Sequence, residues 1–289
     1  MAKKKILLQL DGDPHASVFD AVVAVDAGVD HLFQYGGVEP SEVRGLVHGA
    51  MFTRGPRDLL STAIFVGGSN VAAGEELLRQ VKDCFFGPFR VSVLLDANGA
   101  NTTAAAAVLA AAQHVALSET TAVVLGGTGP VGQRAARLLA RQGAKVRVAS
   151  RTLERAAEVC QAIAGRVPEA SLTPFRTSSP HEIAAVLEGA QVVIAAGAAG
   201  TLLLPADIRR GAGQLKVAID LNAVPPLGIA EIDVADKAVP RDGQFCYGAI
   251  GIGGTKMKLH RAAIETLFTA NNLTLDAEEV FAIGQALAR

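Results

Sequence analysis

The sequence predicts an α/β protein of two domains, each with a mostly parallel β-sheet covered by helices. Short apolar runs alternate with amphipathic stretches along most of the 289 residues, a pattern typical of βαβ units. Half of the residues are hydrophobic and 19% are charged, so the chain can bury large cores. The length fits about two domains of roughly 100–200 residues each.

The N-terminal third of the chain has the pattern of a compact α/β unit. The predicted strands are 5–10, 63–67 and 91–95, and the predicted helices are 17–27 and 71–84. Residues 96–99 have the composition of a turn. The following stretch, 101–117, is nearly all Ala, Val and Leu, which predicts a buried helix that connects the domains.

From residue 120 to about residue 254, strands and helices broadly alternate. The predicted strands are 121–125, 145–149, 191–196 and 216–221, and the predicted helices are 131–142, 153–164 and 181–188. This alternation favours right-handed crossovers and a parallel sheet. A glycine-rich loop at 248–254 then leads into two further predicted helices, 256–268 and 277–287.

Composition argues against several function classes. The net charge is −1, and Lys3-Lys4-Lys5 is the longest basic run, so we expect no nucleic-acid partner. The apolar residues after it are too few for a signal peptide or a membrane span. The three cysteines are isolated, and the six histidines are scattered. We therefore expect a cytoplasmic protein without a metal site.

A glycine fingerprint lies between a predicted strand and a predicted helix, in the segment Gly127-Thr128-Gly129-Pro130-Val131-Gly132. In a dinucleotide-binding turn, Gly127 would permit the tight turn, Gly129 would let the backbone approach pyrophosphate, and Gly132 would let the helix pack closely. Pro130 fits the first helical turn, where its missing donor costs little. Because glycines also mark ordinary turns, the interpretation depends on the flanking strand and helix.

The end of the second strand predicts which dinucleotide is bound. Arg151 stands about 20 residues beyond the glycines, where an acidic residue would bind the ribose 2′-hydroxyl of NAD. An arginine accommodates a 2′-phosphate instead, and Ser150, Thr152 and Arg155 add further donors. The sequence therefore predicts NADP. In the alternative interpretation, Thr152 caps the next helix and Arg151 is solvated.

Two later strands end in segments that would border the nicotinamide. Ala196 and Gly197 belong to a run of small residues, and Asp220 and Asn222 begin a proline-containing loop. Ligands of open α/β sheets bind outside the carboxyl ends of the strands, although both segments also suit ordinary turns. The full predicted cofactor set is Gly127, Thr128, Gly129, Pro130, Val131, Ser150, Arg151, Thr152, Arg155, Ala196, Gly197, Asp220 and Asn222.

Several segments together resemble the NADP-dependent methylene-tetrahydromethanopterin dehydrogenases of one-carbon metabolism. They are SVFD (17–20), TR (53–54), STAIFVGG (61–68), FFGPFR (85–90), DANGANTTA (96–104), GTGPVG (127–132), NAVPPLG (222–228), GAIGIGG (248–254) and KMKLHR (256–261). The resemblance implies hydride transfer from the methylene carbon of a reduced pterin carrier to NADP. The carrier would be tetrahydromethanopterin or tetrahydrofolate, and the enzyme a homo-oligomer, trimeric or hexameric.

The sequence pattern and the resemblance together predict a domain arrangement. Residues 1–101, completed by a C-terminal helix at 268–289, would form an α/β domain on the pterin side. Residues 102–267 would form the Rossmann-like NADP domain, with the active site in a cleft between the two. Positioning the donor carbon against the nicotinamide at roughly 3–3.5 Å would be the main catalytic task.

The resemblance assigns the remaining candidate residues. Asp20 and Lys256 are the candidate catalytic residues, and the candidate substrate-binding residues are Asn98, Asn101, Thr102, Thr103 and His260. Each has a plainer alternative: an exposed carboxylate for Asp20, helix capping for the Asn and Thr residues, and core packing for His260. Because a lysine would oppose a cationic product, Lys256 is expected to orient the carrier or the nicotinamide amide, or to contact an anionic tail.

Two other functions remain open at this point. A shikimate-dehydrogenase-like NADP reductase would need a proton donor, for which Lys256 and Asp96 are the candidates. A non-catalytic NADP-sensing module would keep the glycine fingerprint without needing the polar N-terminal segments.

Overall fold

The computed structural model describes residues 3–288, which form two compact units. One unit contains the chain up to Thr102 together with the chain from Met257 onward, and the other contains Thr103–Lys256. Both are α/β units with central sheets that are largely parallel, as the sequence predicts. Within these residues no helix is both long and apolar enough to cross a bilayer.

The first unit has a five-stranded sheet with helices in its connections. Its strands are β1 (Ile6–Asp11), β2 (His31–Tyr35), β3 (Thr62–Gly67), β4 (Ser92–Leu95) and β12 (Thr274–Leu275). Its helices are α1 (Val18–Asp26), α2 (Pro40–Phe52), α3 (Val71–Asp83) and α10 (Ala277–Leu287). The strand order is β12-β4-β3-β1-β2, and every pairing is parallel.

The second unit has a seven-stranded sheet. Its strands are β5 (Thr121–Leu125), β6 (Lys145–Ser150), β7 (Ser171–Arg176), β8 (Val192–Ala195), β9 (Val217–Asp220), β10 (Val239–Arg241) and β11 (Gln244–Tyr247). Its helices are α5 (Pro130–Arg141), α6 (Leu153–Ala164), α7 (Pro180–Leu187) and α8 (Ala206–Gly211). The order is β10-β11-β9-β8-β5-β6-β7, and only β10 runs antiparallel to its neighbour.

Two long helices run through the points where the chain passes between units, α4 (Ala100–Ala112) and α9 (Ala249–Thr266). The predicted helix 101–117 ends five residues early, with short-range bonds from the amides of Gln113 and His114 to the carbonyls of Ala110 and Ala111. The expected loop at 248–254 is wrong, because α9 already begins at Ala249.

Two of the four glycines in that segment are needed for close packing. A side chain at Gly248 or Gly251 would collide with backbone atoms of residues 233–237. Glycine at both positions lets the start of α9 lie directly against this stretch of backbone. Two of the glycines that suggested a loop are therefore required for packing at the start of a helix.

A buried arginine in α8 holds the β10–β11 turn. The Arg209 side chain is fully buried, and its guanidinium donates to Gln244 Oε1 at 2.9 Å and to Asp242 Oδ2 at 2.7 Å. Replacing it by alanine should cost roughly 2–3 kcal/mol of unfolding free energy, since buried Gln244 loses its partner. Urea denaturation measures this, with half-exposed Arg210→Ala as the control, expected to cost under about 1 kcal/mol. Equal losses of unfolding free energy in the two variants would contradict the role of Arg209 in holding this turn.

Candidate functional site

The glycine fingerprint forms the turn between β5 and α5. The tight turn is made by Gly126, whose φ is +68°, and not by Gly127 as the glycine pattern predicted. Gly127 serves a different contact. Its amide donates to the Ala149 carbonyl at 2.9 Å, and a Cβ built on it would lie 2.8 Å from Val148 Cγ1. The turn is thereby fixed against the neighbouring strand β6.

The next two glycines differ in the space around them. A Cβ on Gly132 would lie 2.6 Å from the Gly126 carbonyl oxygen, so only glycine lets α5 approach the turn this closely. A Cβ on Gly129 would meet nothing nearer than 3.5 Å. Pro130 occupies the first helical turn, as predicted. Gly129 therefore has room beside it, at the helix end whose first amides lack intrahelical partners.

This difference separates folding from ligand binding. Gly132→Ala should lower the free energy of unfolding by about 1–3 kcal/mol through overpacking. Gly129→Ala should leave stability nearly unchanged but weaken dinucleotide binding, because its methyl group fills space that the pyrophosphate would use. Thermal melts and cofactor titrations of both variants make the comparison. A destabilised Gly129→Ala protein that binds normally would contradict this assignment.

Two fingerprint residues near Gly129 remain to be described. Thr128 and Val131 are both half-buried, and the Thr128 carbonyl accepts a hydrogen bond from Gln133 Nε2 at 2.8 Å. This hydrogen bond ties the backbone just before Gly129 to α5.

The predicted ribose-binding residues follow the end of β6. Ser150 is nearly buried, and its hydroxyl accepts from the Thr152 amide at 3.3 Å. Arg151, Thr152 and Arg155 are exposed. Thr152 occupies the N-cap of α6 but makes no side-chain capping bond. The side chains of Arg151 and Arg155 are accordingly available at the carboxyl edge of the strand next to β5.

The small residues after β8 lie against the glycine turn. A Cβ on Gly126 would be 2.6 Å from Gly197 Cα, and the Ala196 amide donates to the Leu125 carbonyl at 2.8 Å. The strand β5 pairs with β8 on one side and with β6 on the other. The order in which the chain adds strands to the sheet therefore reverses at β5. Such a switch point is where open α/β sheets bind their ligands.

Asp220 and Asn222 organise their own loop. The buried Asp220 carboxylate accepts from the amides of Asn222 at 3.0 Å and Ile229 at 2.9 Å. Burial raises the pKa of this carboxyl, and these backbone hydrogen bonds oppose the shift. The Asn222 amide group bridges the Val224 amide and the Pro226 carbonyl. Both side chains therefore shape the loop after β9, and cofactor contact by either one stays a prediction.

In the first unit, Asp20 lies at the start of α1, above the carboxyl end of the sheet. Its Oδ1 is 3.9 Å from Nε2 of buried His260, whose ring stacks on Phe65 at 5.5 Å. Burial raises the pKa of the Asp20 carboxyl, while the charge of His260 and a hydrogen bond from Ser17 oppose the shift. A perturbed carboxyl at a strand-end site marks a candidate functional group.

The other predicted substrate residues follow β4. Asp96 is buried, and its carboxylate accepts from the amides of Asn101 and Thr102 and from the Thr102 hydroxyl, at 2.6–3.0 Å. The Asn101 side-chain amide donates to the Leu95 carbonyl and to Asp276 Oδ1. The Asp96 carboxylate therefore caps the start of α4, and the side chains of Asn101 and Thr102 act as hydrogen-bond donors there. Asn98 is different, because its side chain is exposed and its φ is +53°.

Sequence reasoning missed a residue that supports this edge. Asp11, at the end of β1, is fully buried, and its carboxylate accepts from the amides of Asp13 and Ser17. It thereby fixes the loop that leads into α1 and Asp20. An aspartate directly after a buried apolar strand was the available signal.

The structure therefore brings Asp20, Asn98, Asn101, Thr102 and His260 to one edge of the first sheet. Thr103 and Lys256 fall in the second unit, each at a point where the chain passes between units. Lys256 is half-buried in α9, one helical turn before His260.

Comparison with known families assigns the two parts of the chain. Residues 18–98 match the family described as methylene-tetrahydromethanopterin dehydrogenase, N-terminal. Residues 109–242 match the family described as shikimate / quinate 5-dehydrogenase. The first match covers the edge that holds Asp20 and Asn98, and the second covers the glycine turn.

Among solved structures, shikimate 5-dehydrogenase from Listeria monocytogenes aligns with a TM-score of 0.58 and 16% identity over 98% of this chain and 96% of that one. Quinate dehydrogenase from Corynebacterium glutamicum aligns with a TM-score of 0.52 and 15% identity over 98% of this chain and 100% of that one. At this identity the similarity shows the fold alone, and it confirms the predicted α/β architecture.

Two curated proteins of Methylorubrum extorquens align along the whole chain. The bifunctional protein MdtA is 45% identical over 99% of both chains. The NAD(P)-dependent methylenetetrahydromethanopterin dehydrogenase is 32% identical, also over 99% of both. These relatives confirm the resemblance found in the sequence, and the chain belongs to the methylene-tetrahydromethanopterin dehydrogenase family.

Proposed function

We propose that this protein oxidises the methylene form of a tetrahydromethanopterin carrier to the methenyl form and reduces NADP. The observation that carries the proposal is the alignment with an NAD(P)-dependent methylenetetrahydromethanopterin dehydrogenase over 99% of the chain. Two sites at the carboxyl ends of strands support the proposal. One is the glycine turn of the second unit, and the other contains Asp20 in the first unit. The same chemistry with a tetrahydrofolate carrier is part of the proposal.

The second unit would hold NADP. The space beside Gly129 and the start of α5 suit the pyrophosphate, and Arg151 suits the 2′-phosphate. The small residues Ala196 and Gly197 would let a flat ring lie against backbone. When bound, NADP supplies the acceptor of a hydride.

The first unit would handle the carrier. The carbon that loses a hydride becomes a cation shared by two nitrogens, so the reaction needs positioning and charge stabilisation more than proton transfer. Asp20 suits this task, because burial disfavours its charge and a cationic neighbour would relieve that cost. Asn98, which is exposed, would donate hydrogen bonds to the carrier. Lys256 would orient the carrier or the nicotinamide amide.

The family match of residues 109–242 keeps a shikimate-dehydrogenase-like reductase as the second candidate. That chemistry needs an acid–base pair, for which Asp96 was the candidate carboxylate. The structure disfavours Asp96 in this role, because Asp96 is buried and both of its carboxylate oxygens accept hydrogen bonds from the start of α4.

The test follows NADPH absorbance with purified protein and four substrates. Methylene-tetrahydromethanopterin should support turnover, with methylene-tetrahydrofolate as the second carrier, and shikimate and quinate should not. Tight NADP binding without turnover of either carrier would contradict the proposal and favour a sensing module. Turnover of shikimate alone would favour the second candidate.

A further inference from the structure

Three segments of the first unit meet at the amino ends of neighbouring strands. Residues 56–61 lead into β3, residues 87–90 lead into β4, and residues 271–272 lead into β12. The sheet places β12, β4 and β3 side by side, and their pairings are parallel, so the three segments lie next to one another. Asp20 follows the carboxyl end of β1 and therefore belongs to the opposite edge of this sheet.

A pocket of about 420 Å³ lies between these segments. Its lining contains two arginines, Arg57 and Arg90, and two asparagines, Asn271 and Asn272, together with prolines and a glycine. None of the described residues that line it is acidic. Pockets of roughly 300–1,000 Å³ hold small-molecule ligands, so this one has room for more than a simple ion.

The two arginines have guanidinium groups that are available to a ligand. The Arg57 side chain is exposed and takes part in no hydrogen bond or ion pair along residues 3–288. Arg90 is half-buried, and its Nε donates to the Gly87 carbonyl at 2.9 Å. This bond orients the Arg90 guanidinium without using its outer donors. Two cations that line one pocket repel each other, and a bound anion would relieve this repulsion.

The pocket wall that carries Arg90 is built by several contacts within the first unit. The Asn271 side-chain amide donates to the carbonyls of Pro88 at 3.4 Å and Arg90 at 3.3 Å. Phe86 and Phe89 pair across the turn that contains Pro88, and their rings lie 5.6 Å apart. The segment before β12 is thereby fastened to the segment before β4.

The charge and the donors of the pocket suit a phosphate ester. A phosphate monoester carries about −1.5 to −2 charges at pH 7, which balances two guanidinium groups. The planar guanidinium fork also matches the spacing of phosphate oxygens. The Asn272 side chain is exposed and has no hydrogen bond within the described part of the chain, and its amide is suited to bond hydroxyl groups of the ester.

We propose that this pocket binds a small phosphate monoester with a hydroxylated carbon skeleton, the class to which sugar phosphates belong. Arg57 and Arg90 bind the phosphate group, and Asn272 binds the hydroxylated part. The site is distinct from both sites of the proposed function. It lies at the opposite edge of the first sheet from Asp20, and the glycine turn belongs to the second unit.

Isothermal titration calorimetry tests the site with the full chain saturated with NADP, so that the dinucleotide site does not take up the phosphate probe. Glucose 6-phosphate should bind at one site per chain, and glucose should not bind. Inorganic phosphate should bind more weakly than glucose 6-phosphate, because it lacks the hydroxylated part. Succinate should also bind more weakly, because its two charges sit on separate carboxylates.

Substitutions at the two arginines assign the binding to this pocket. Arg57→Ala should weaken glucose 6-phosphate binding by about 10–100-fold, the value of one charge-assisted contact to a phosphate. Its melting temperature should match the wild type, because the side chain makes no hydrogen bond or ion pair in the described chain. Arg90→Lys keeps the charge but loses the fork, so it should also weaken binding. Arg166→Ala removes an exposed arginine of the second unit and should bind as the wild type does.

Several results would overturn the proposal. Glucose 6-phosphate that shows no saturable binding, or that binds equally well to Arg57→Ala and Arg90→Lys, would exclude this pocket as its site. Glucose, succinate or inorganic phosphate that binds as tightly as glucose 6-phosphate would contradict the class of ligand. The NADPH assay with the methylene carriers is independent of all these outcomes.

Discussion

Replacing Asp20 by asparagine should lower kcat/KM for the methylene carrier by about 10²–10³-fold, the usual loss when one preorganised charge-stabilising group is removed. The carboxylate is held by Ser17 and lies 3.9 Å from His260, at the edge where the carrier is proposed to bind. Because the NADP residues belong to the other unit, NADP affinity should change little. Steady-state kinetics and a cofactor titration measure the two effects.

Asp26→Asn is the matched control, since Asp26 ends the same helix and is exposed. Its kinetics should match the wild type. If Asp20→Asn retains wild-type turnover, Asp20 is not part of the site and the plainer interpretation as a helix carboxylate holds.

The same substitution has a pH signature in stability. Burial raises the pKa of Asp20 above its ordinary value of 3.8, so its contribution to stability is present at low pH and is lost as the pH rises through the folded-state pKa. The asparagine variant should therefore melt at a higher temperature than the wild type at neutral pH. This difference in melting temperature should shrink as the pH falls towards 4. A gap that widens with acidification would contradict the sign of the shift.

Replacing Arg151 by alanine should weaken NADP binding by about 10–100-fold, the value of one charge-assisted contact to a phosphate. NAD binding should change by less than about twofold, because NAD has no 2′-phosphate for this side chain to contact. Arg151 is exposed at the end of β6, beside the glycine turn, which makes a direct contact possible without rearrangement. Fluorescence titration with both dinucleotides provides the measurement.

Arg166→Ala controls for loss of charge alone, because this exposed arginine lies beyond the opposite end of α6. It should bind both cofactors as the wild type does. Equal losses for NADP and NAD in the Arg151 variant would show that this residue does not contact the 2′-phosphate.

Strong periodicity made most of the fold predictable. The apolar strands at the centre of both sheets and the helices after them lie where the sequence placed them, because buried parallel strands leave continuous apolar runs. The strands at the edges of the sheets were not predicted, because they lack continuous apolar runs. The strand β2 is mostly exposed, and β7 contains Pro174, so neither has the apolar pattern of a buried strand.

Contacts between distant segments could not be inferred from local sequence. The need for glycine at Gly132 comes from the Gly126 carbonyl, and the burial of Asp11 and Asp96 comes from strand ends that meet in the folded sheet. The sequence predicted that Asn101 and Thr102 either bind substrate or cap a helix. In the folded chain, the Asn101 side chain donates to the Leu95 carbonyl of β4, and the Thr102 hydroxyl donates to the Asp96 carboxylate.

The most direct test uses a carrier whose methylene carbon bears deuterium in place of both hydrogens. Direct hydride transfer predicts that the NADPH formed by the wild-type protein carries deuterium from that carbon, and that formation of NADPH stops when the labelled carrier is exhausted. NADPH that forms without deuterium, or deuterium that is released to water, would contradict hydride transfer from the carrier to NADP.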